Sequence, residues 1–515
     1  MSIPYIYGAA GGALVIAVYY LMQRGKSRLP LPPGPKKLPL VGNLFDMPST
    51  FEWITYMEWS KKCNSDILHL DVAGTSIIVL SSTEAAEELL VKRAAIYSDR
   101  APLVMVNELM GWNYLLAFMK YAHRKLFHDV FNAVAAQRFR PLERKVCHEV
   151  LYDFLQKPDH DVHGRVQRVL SMAAKVVMSA AYGIDVLPSD DPYVGLAEKA
   201  LAGLLTAVPP GRFLVESIPL LKYVPAWFPG AGFQRQALEW KRLALEMLDK
   251  PFVVAKQQIA SGKAPHSFVM DGLRMAQESE DKAYQEQVVQ NTAATMWTAA
   301  TDTTVSALAT FILAILSNPE AQKKAQAEID AVVGTDRLPD WHDEPNLPYV
   351  AALMRESMRW MNVTPIAIPH YLAVEDEYKG YRLPAGSVVV PNVWAILHDE
   401  TIYPDPYSVK PERYLLDGKL NPNIPGPDTL LFGFGRRICP GRHMASSSVW
   451  ITIASILATF DITKPVDDAG KVIEPSYEYV AHLVVMPLPY KCSIKPRSEK
   501  AIALIKASIN QTNKI

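Results

Sequence analysis

From Met1 to Gln23 no side chain carries charge, and Ile3–Met22, ~20 residues, is long enough to cross a bilayer as a helix. Tyr5, Tyr7, Tyr19 and Tyr20 stand near its ends, where interfacial aromatics sit. Arg24, Lys26 and Arg28 follow, then Lys36 and Lys37, so the positive-inside rule keeps the bulk of the chain on the cytoplasmic side. A cleaved signal peptide would carry its basic residues before the apolar run, whereas here they come after it. Leu29–Pro39 is too proline-rich for a helix and reads as a stiff, extended hinge. The expected organisation is an anchor over 1–23, a basic stop and hinge over 24–39, a body over 40–498 and a tail over 499–515.

Within the body, Ile67–Val72 and Thr75–Leu80 read as strands, followed by a capped helix over Ser82–Arg93. Val130–Leu316 is mostly helical in pattern, with a long helix around Glu286–Leu316. The Pro/Gly-rich stretch Val208–Gly232 interrupts it and is apolar between Phe213 and Phe228. It is too apolar for an ordinary surface loop, and either meets a bilayer, lines a substrate entrance or is a buried connector. Asn318-Pro319-Glu320 has the form of an N-cap, a proline at N1 and an acidic first turn, and Gly334 ends that helix. Pro348 opens another helix, to about Trp360. Ile366–Leu372, Glu377–Leu383 and Ser387–Val393 then read as strands, and Arg442–Phe460 as a last helix. Many helices with few strands predict one large α-rich domain.

Lys+Arg and Asp+Glu both count 53, so no net field draws the chain to nucleic acid. Four cysteines in 515 residues do not make a disulfide scaffold. No G-x-G-x-x-G follows a strand, so no dinucleotide fold is evident, and electrons for redox chemistry must come from another protein.

The candidate chemistry centres on Leu431–Gly441, a glycine-rich loop that holds Cys439 between arginines and a helix-like apolar run. Such a loop can present a thiolate to a metal; the bland alternative is a buried free cysteine. Phe432, Gly435, Arg437, Cys439 and Gly441 form F-x-x-G-x-R-x-C-x-G, which resembles the haem-binding loop of the cytochrome P-450 family. The resemblance implies haem b (iron protoporphyrin IX) with Cys439 as the axial ligand. The thiolate pushes electron density onto iron and favours O–O cleavage. Gly435 and Gly441 are expected to supply positive φ or close approach, Phe432 to shield the sulfur and Arg437 to bind a propionate.

Ala299-Ala300-Thr301-Asp302-Thr303-Thr304 resembles the family's oxygen-activating A-G-x-D-T-T, with Ala300 where glycine is usual. Asp302 and Thr303 are the candidate proton-handling pair, against the simpler reading that Thr303 bonds back to a helix carbonyl. Glu356 and Arg359, three apart on one helix face, and Arg413 in Pro411-Glu412-Arg413 look like the family's buried Glu-Arg-Arg network, a structural feature. His370 stands where the family often places Arg or His toward a propionate; a lone strand histidine is the alternative. Arg124 matches a propionate-binding arginine. The family's tryptophan four residues before it is Lys120 here, and the connection Ala117–Tyr121 looks short.

The resemblance spans Leu31 to about Ser498. Trp227–Gly230, Phe434–Gly441 and Pro487–Cys492 look most like fungal secondary-metabolism or xenobiotic members. It implies a mainly α fold with small β-sheets and a single-pass endoplasmic-reticulum membrane protein. The implied activity is a monooxygenase that takes O2, a small hydrophobic substrate, and electrons from NADPH through a separate flavoprotein reductase. A haem protein with impaired turnover and a haem-thiolate peroxygenase or isomerase are the competing readings. Retention of Asp302 and Thr303 favours the monooxygenase.

Overall fold

The computed structural model describes residues 29–119, 132–156, 175–187, 190–208 and 212–512. The expected anchor, Lys120 and Arg124 lie outside the described residues. The larger helices are α1 (Glu52–Cys63), α2 (Arg140–Gln156), α3 (Pro192–Ala207), α4 (Gly232–Ala260), α5 (Phe268–Gln277), α6 (Lys282–Ser317), α7 (Pro319–Val332), α8 (Pro348–Trp360), α9 (Arg442–Thr459) and α10 (Glu499–Thr512). Their starts follow from local chemistry. Asp191 accepts from the backbone N–H groups of Tyr193 and Val194 at the head of α3, and Asn318 accepts from Ala321 at the head of α7. Each helix has proline at its first position, where no donor is missed.

The strands β1 (Ile67–Val72), β2 (Thr75–Leu80), β3 (His370–Tyr371) and β6 (Val388–Pro391) form one sheet in the order β1-β2-β6-β3. The hairpin β1–β2 is antiparallel, in register from Ile67↔Leu80 to Val72↔Thr75, and turns on Ala73 and Gly74, both at positive φ. β2 and β6 are parallel, so an early and a late part of the body share this sheet. The expected strand Ile366–Leu372 shortens to β3, because Ala367 turns back at φ 49° with its N–H on the Thr364 carbonyl. Glu377–Leu383 is likewise a hairpin, β4 (Asp376–Tyr378) and β5 (Tyr381–Leu383), turning on Lys379 and Gly380 at positive φ.

The proline hinge lies along this sheet. The Pro33 carbonyl accepts from His69 N–H at 2.9 Å, and Lys37 Nζ lies 2.7 Å from His69 Nδ1. A lysine ammonium only donates, so Nδ1 is the acceptor and Nε2 carries the proton. That proton goes to Ser76 Oγ at 2.9 Å, and Ser76 meets Ser387 Oγ at 2.7 Å.

The helix α6 organises the interior. Its first half, with Ala293 and Trp297, belongs to an apolar cluster shared with α3, α4 and α5. Its second half, from Val305 to Leu316, belongs to another, with α7, α8 and α9. Among the described residues it is the one helix long and apolar enough to cross a membrane, yet 71% of its most apolar window is buried, as a core helix requires. The residues after Ser498, read as a tail, fold as α10. It packs Ile505 and Ala501 inward, and Arg497 anchors its start through two bonds to Asp330, at 2.9 and 2.6 Å.

Candidate active site

Cys439 sits in a loop that its own backbone closes. Its N–H donates to the Phe432 carbonyl at 2.6 Å. Gly433 and Gly435 take φ 78° and 52°, and a Cβ on Gly435 would stand 2.1 Å from the Leu90 carbonyl oxygen. No side chain fits there, so glycine is required twice over. Leu90 lies in a π-helical turn, Glu87–Lys92, within what the sequence reads as one regular helix. Gly441 does not need positive φ: it has φ −80°, heads α9, and a Cβ there would meet Cys439 Sγ at an ordinary 4.0 Å.

The sulfur environment separates Cys439 from the other cysteines. Burial pushes the Cys147 thiol up to about 11, and it donates to the Ile451 carbonyl. Cys492 is buried in the core, and Cys63 lies on α1. Cys439 alone stands half-exposed in a glycine loop beside two arginines. Among the described residues no cluster of three His, Cys, Asp or Glu offers a competing metal site.

Arg437 is buried and turns inward: Nε donates to the Ser98 carbonyl at 2.6 Å and Nη1 reaches the Leu116 carbonyl at 3.4 Å. His370 Nδ1 lies 2.9 Å from the Tyr97 carbonyl. Arg100, which sequence reasoning missed, joins them. Its Nε donates to the Ala117 carbonyl at 2.8 Å, and its Nη1 to those of Ile368 and Pro369 at 2.8 and 2.6 Å. Three potential donors to an anion thus gather around residues 97–100, from segments far apart in sequence. The aspartate-arginine pair in Ser98-Asp99-Arg100 gives no local signal of this; only the register of β3 brings it close.

The other wall is α6. Between its two buried halves, Thr298, Ala299, Ala300, Asp302, Thr303 and Thr304 are half-exposed or exposed. Residues 438–448, from the loop into the first turns of α9, are half-exposed as well, and α9 packs on α6. Met444 touches both apolar clusters. Thr303 Oγ1 donates to the Ala299 carbonyl at 2.9 Å, as the simpler reading expects. That leaves its lone pairs for the open side. Burial pushes the Asp302 carboxyl up to about 6, with the Glu198 charge adding to it, so it can exchange a proton near neutral pH.

Behind the loop, Glu356, Arg359 and Arg413 are buried together. Glu356 accepts from Arg359 at 2.8 and 3.0 Å, from Arg413 Nε at 3.0 Å and from Lys410 N–H at 2.8 Å. Carbonyls of Leu397, Pro406 and Pro404 take further guanidinium protons. The cage ties α8 to residues 397–413, the chain that leads into the cysteine loop.

A half-exposed soft sulfur donor in a loop shaped by glycine, with two arginines and a histidine gathered nearby, fits an iron porphyrin with carboxylate edges. The fold and this donor set define a haem-thiolate oxygenase. The chain belongs to the cytochrome P450 family, whose model matches residues 32–494. It is 46% identical to cytochrome P450 monooxygenase 98 of Postia placenta, over 96% of both chains. It is 41% identical to cytochrome P450 monooxygenase ple1 of Rhodocybe pseudopiperita, over 96% of this chain and 95% of that one. It is also 39% identical to a tryptamine 4-monooxygenase of Psilocybe cyanescens, over 95% of this chain and 98% of that one. The chain is therefore a monooxygenase that binds haem through a cysteine thiolate.

Proposed function

We propose that Cys439 is the thiolate ligand and that the enzyme inserts one oxygen atom from O2 into a small hydrophobic substrate. A terpenoid or a polycyclic aromatic or stilbene-type molecule fits this reading, because the lining of the open stretch of α6 joins an apolar cluster. The observation that carries it is the coincidence of two openings on elements that pack together, one at Cys439 and the first turns of α9, the other at Asp302 and Thr303 on α6. Haem, when bound, supplies the oxygen chemistry. The chain supplies the rest. Arg437, His370 and Arg124 hold the carboxylate edge, and Phe432 limits water at the sulfur. Asp302 would take protons from the solvent side and release them to a water, and Thr303, whose lone pairs face the open side, would accept a hydrogen bond from that water and hold it in place. Glu356, Arg359 and Arg413 keep the loop in place.

Electrons are assigned to NADPH through a separate flavoprotein reductase, and the enzyme to the endoplasmic-reticulum membrane by the apolar 1–23 segment. Supporting the membrane assignment, Leu220, Tyr223 and Trp227 are 75, 73 and 79% exposed in the short-helical segment after Phe213.

The test is a carbon-monoxide difference spectrum of the reduced protein, followed by NADPH consumption with added reductase. Cys439→Ala is expected to lose the thiolate spectrum, and its persistence would remove the proposal. Thr303→Ala is expected to keep it while NADPH oxidation yields peroxide rather than product; full coupling would reduce Thr303 to a helix residue.

A further inference from the structure

The segment 212–232 is fastened to the rest of the molecule in an unequal way. At its far end Gln234 Nε2 donates to the Lys222 carbonyl at 2.8 Å and Arg235 binds the Ala226 carbonyl, which ties it to α4. At its near end Phe213 packs edge-on against Trp240, centroids 6.2 Å apart. Between these, two side chains cross to another part of the chain, Glu216 and Lys222. Glu216, in the single turn Leu214–Ser217, accepts from Val104 N–H at 2.7 Å through one oxygen and from Met105 N–H at 2.8 Å through the other.

Those N–H groups open the π-helical turn Val104–Leu109, where no intrahelical acceptor exists for them. Lys222 adds a second tie, to Glu108 at 2.7 Å. Val104, Met105, Phe213 and Val215 belong to the apolar cluster that Ala300 and Met444 also join, so both segments pack on the apolar region that reaches the open stretch of α6. Leu220, Tyr223 and Trp227 on the same segment face outward. The segment's inward hold includes Phe213, Val215 and Leu221 in the apolar cluster, the Glu216 contact and the Lys222–Glu108 pair.

We infer that Glu216 is a positioning residue that latches segment 212–232 onto Val104–Leu109 and sets how readily bulky molecules reach the space beside Ala300. The inference rests on the reading of that space as the substrate site. The carboxylate is suited to the task. Each bond to it is charge-assisted, so a single side chain makes two strong polar ties between the segments. With both ends tied to α4, loss of these two bonds frees the middle of the segment to lift from Val104–Leu109. Lys222–Glu108, with side chains 24 and 48% exposed, is a partly exposed ion pair that adds a smaller, salt-screened contribution.

The experiment uses the full-length, haem-loaded enzyme and its Glu216→Gln and Glu216→Ala variants. Two iron-binding probes of different size, imidazole and the bulkier 4-phenylimidazole, are followed by stopped-flow absorbance. Amide hydrogen exchange is measured on the same samples. Losing a charged hydrogen bond predicts about tenfold or more faster exchange at Val104–Val106. Association of 4-phenylimidazole accelerates by a similar factor in both variants, while imidazole changes less than twofold. A merely structural role would move both probes alike or neither, and either result overturns the latch. Glu216→Gln keeps the side chain's volume, so misfolding of the alanine variant does not remove the test. If wild-type enzyme gives no spectral response to either azole, the reading of the iron site fails. Amide exchange alone then decides the latch: unchanged exchange at Val104–Val106 in Glu216→Gln rejects it.

Discussion

Replacing Glu356 by glutamine keeps the size of the side chain and removes its charge. The carboxylate accepts four hydrogen bonds, three at Oε1 and one at Oε2. A carboxamide accepts at one end only and turns an NH2 group toward a donor at the other. In either orientation a donor then faces a guanidinium donor or the Lys410 N–H. Both arginines stay where they are, with side chains 0 and 8% exposed, and lose their only buried counter-charge among the described residues. Breaking such a pair costs about 3–5 kcal/mol, which is a large share of the 5–15 kcal/mol or so that holds a domain together. With a urea dependence of about 3 kcal/mol per M or more, the unfolding midpoint falls by on the order of 1 M. Urea titration followed by tryptophan fluorescence and, separately, by haem absorbance measures it. The carbonyls of Leu397, Pro406 and Pro404 offer a different outcome, since their dipoles also face the guanidinium groups. A midpoint unchanged within error would show that this carbonyl cage, not the carboxylate, neutralises the arginines, and the reasoning would fail.

Three further outcomes are expected. Gly435→Ala places a methyl 2.1 Å from the Leu90 carbonyl at positive φ, so the loop must shift; the purified variant is expected to hold a small fraction of the wild-type haem, and normal haem content refutes the packing argument. Removing residues 499–515 uncovers the apolar face of α2 against which α10 lies and deletes Ile505, fully buried; a loss of about 2–4 kcal/mol is expected in the same urea assay. The pH dependence has opposing parts. Burial, aided by Lys37, lowers His69 to about 4, and burial, aided by Arg359, lowers His398 to about 3. Their folded values lie below the unfolded 6.5, so the unfolded chain takes up protons first. Stability present above about pH 6.5 is therefore lost as pH falls toward 4. Burial raises Glu143 to about 7, so between about pH 7 and 4.5 the folded chain binds the extra proton and gains stability on acidification. Glu143→Gln removes that offset and is expected to steepen the acid loss of stability between about pH 6.5 and 4.5; an unchanged slope in urea titrations across that range counts against it.

What can be read from the sequence is what depends on near neighbours. The caps at Asn318 and Pro319, the hairpin Ile67–Leu80 and the i,i+3 facing of Glu356 and Arg359 need only local spacing, and each element appears at those residues. The inward face of α10 is equally local, with Ala501, Ile505 and Ser508 at successive spacings of four and three, but an alanine and a serine make that face weakly apolar, and the segment reads only as a tail. Long-range partners are not legible. Arg437 binds the carbonyls of Ser98 and Leu116, and Arg100 those of Ile368 and Pro369; nothing near either arginine encodes these acceptors. A bare carbonyl has no sequence signature, since every residue carries one. The same holds for Ala367, whose positive φ cuts a predicted strand to two residues, where the surrounding apolar run reads as extended chain.

The position of the site within α6 follows from how the helix is packed. A 36-residue helix with both halves in apolar cores has its polar, half-exposed residues where the two cores part. Thr292, Thr295, Thr298 and Thr303 each donate to the carbonyl four residues back, at 2.6, 2.8, 2.8 and 2.9 Å. Repeated bonds of this kind give each hydroxyl an acceptor within its own helix and slightly loosen that helix. At Thr292 and Thr295, both buried, this makes a hydroxyl tolerable in an apolar setting. At Thr303 the same bond, facing open space, leaves an oriented hydroxyl with its lone pairs outward and a carboxylic acid one residue before it. One local habit of threonine thus satisfies a buried hydroxyl at Thr292 and Thr295 and leaves an accessible one at Thr303, and burial, not residue type, makes the difference.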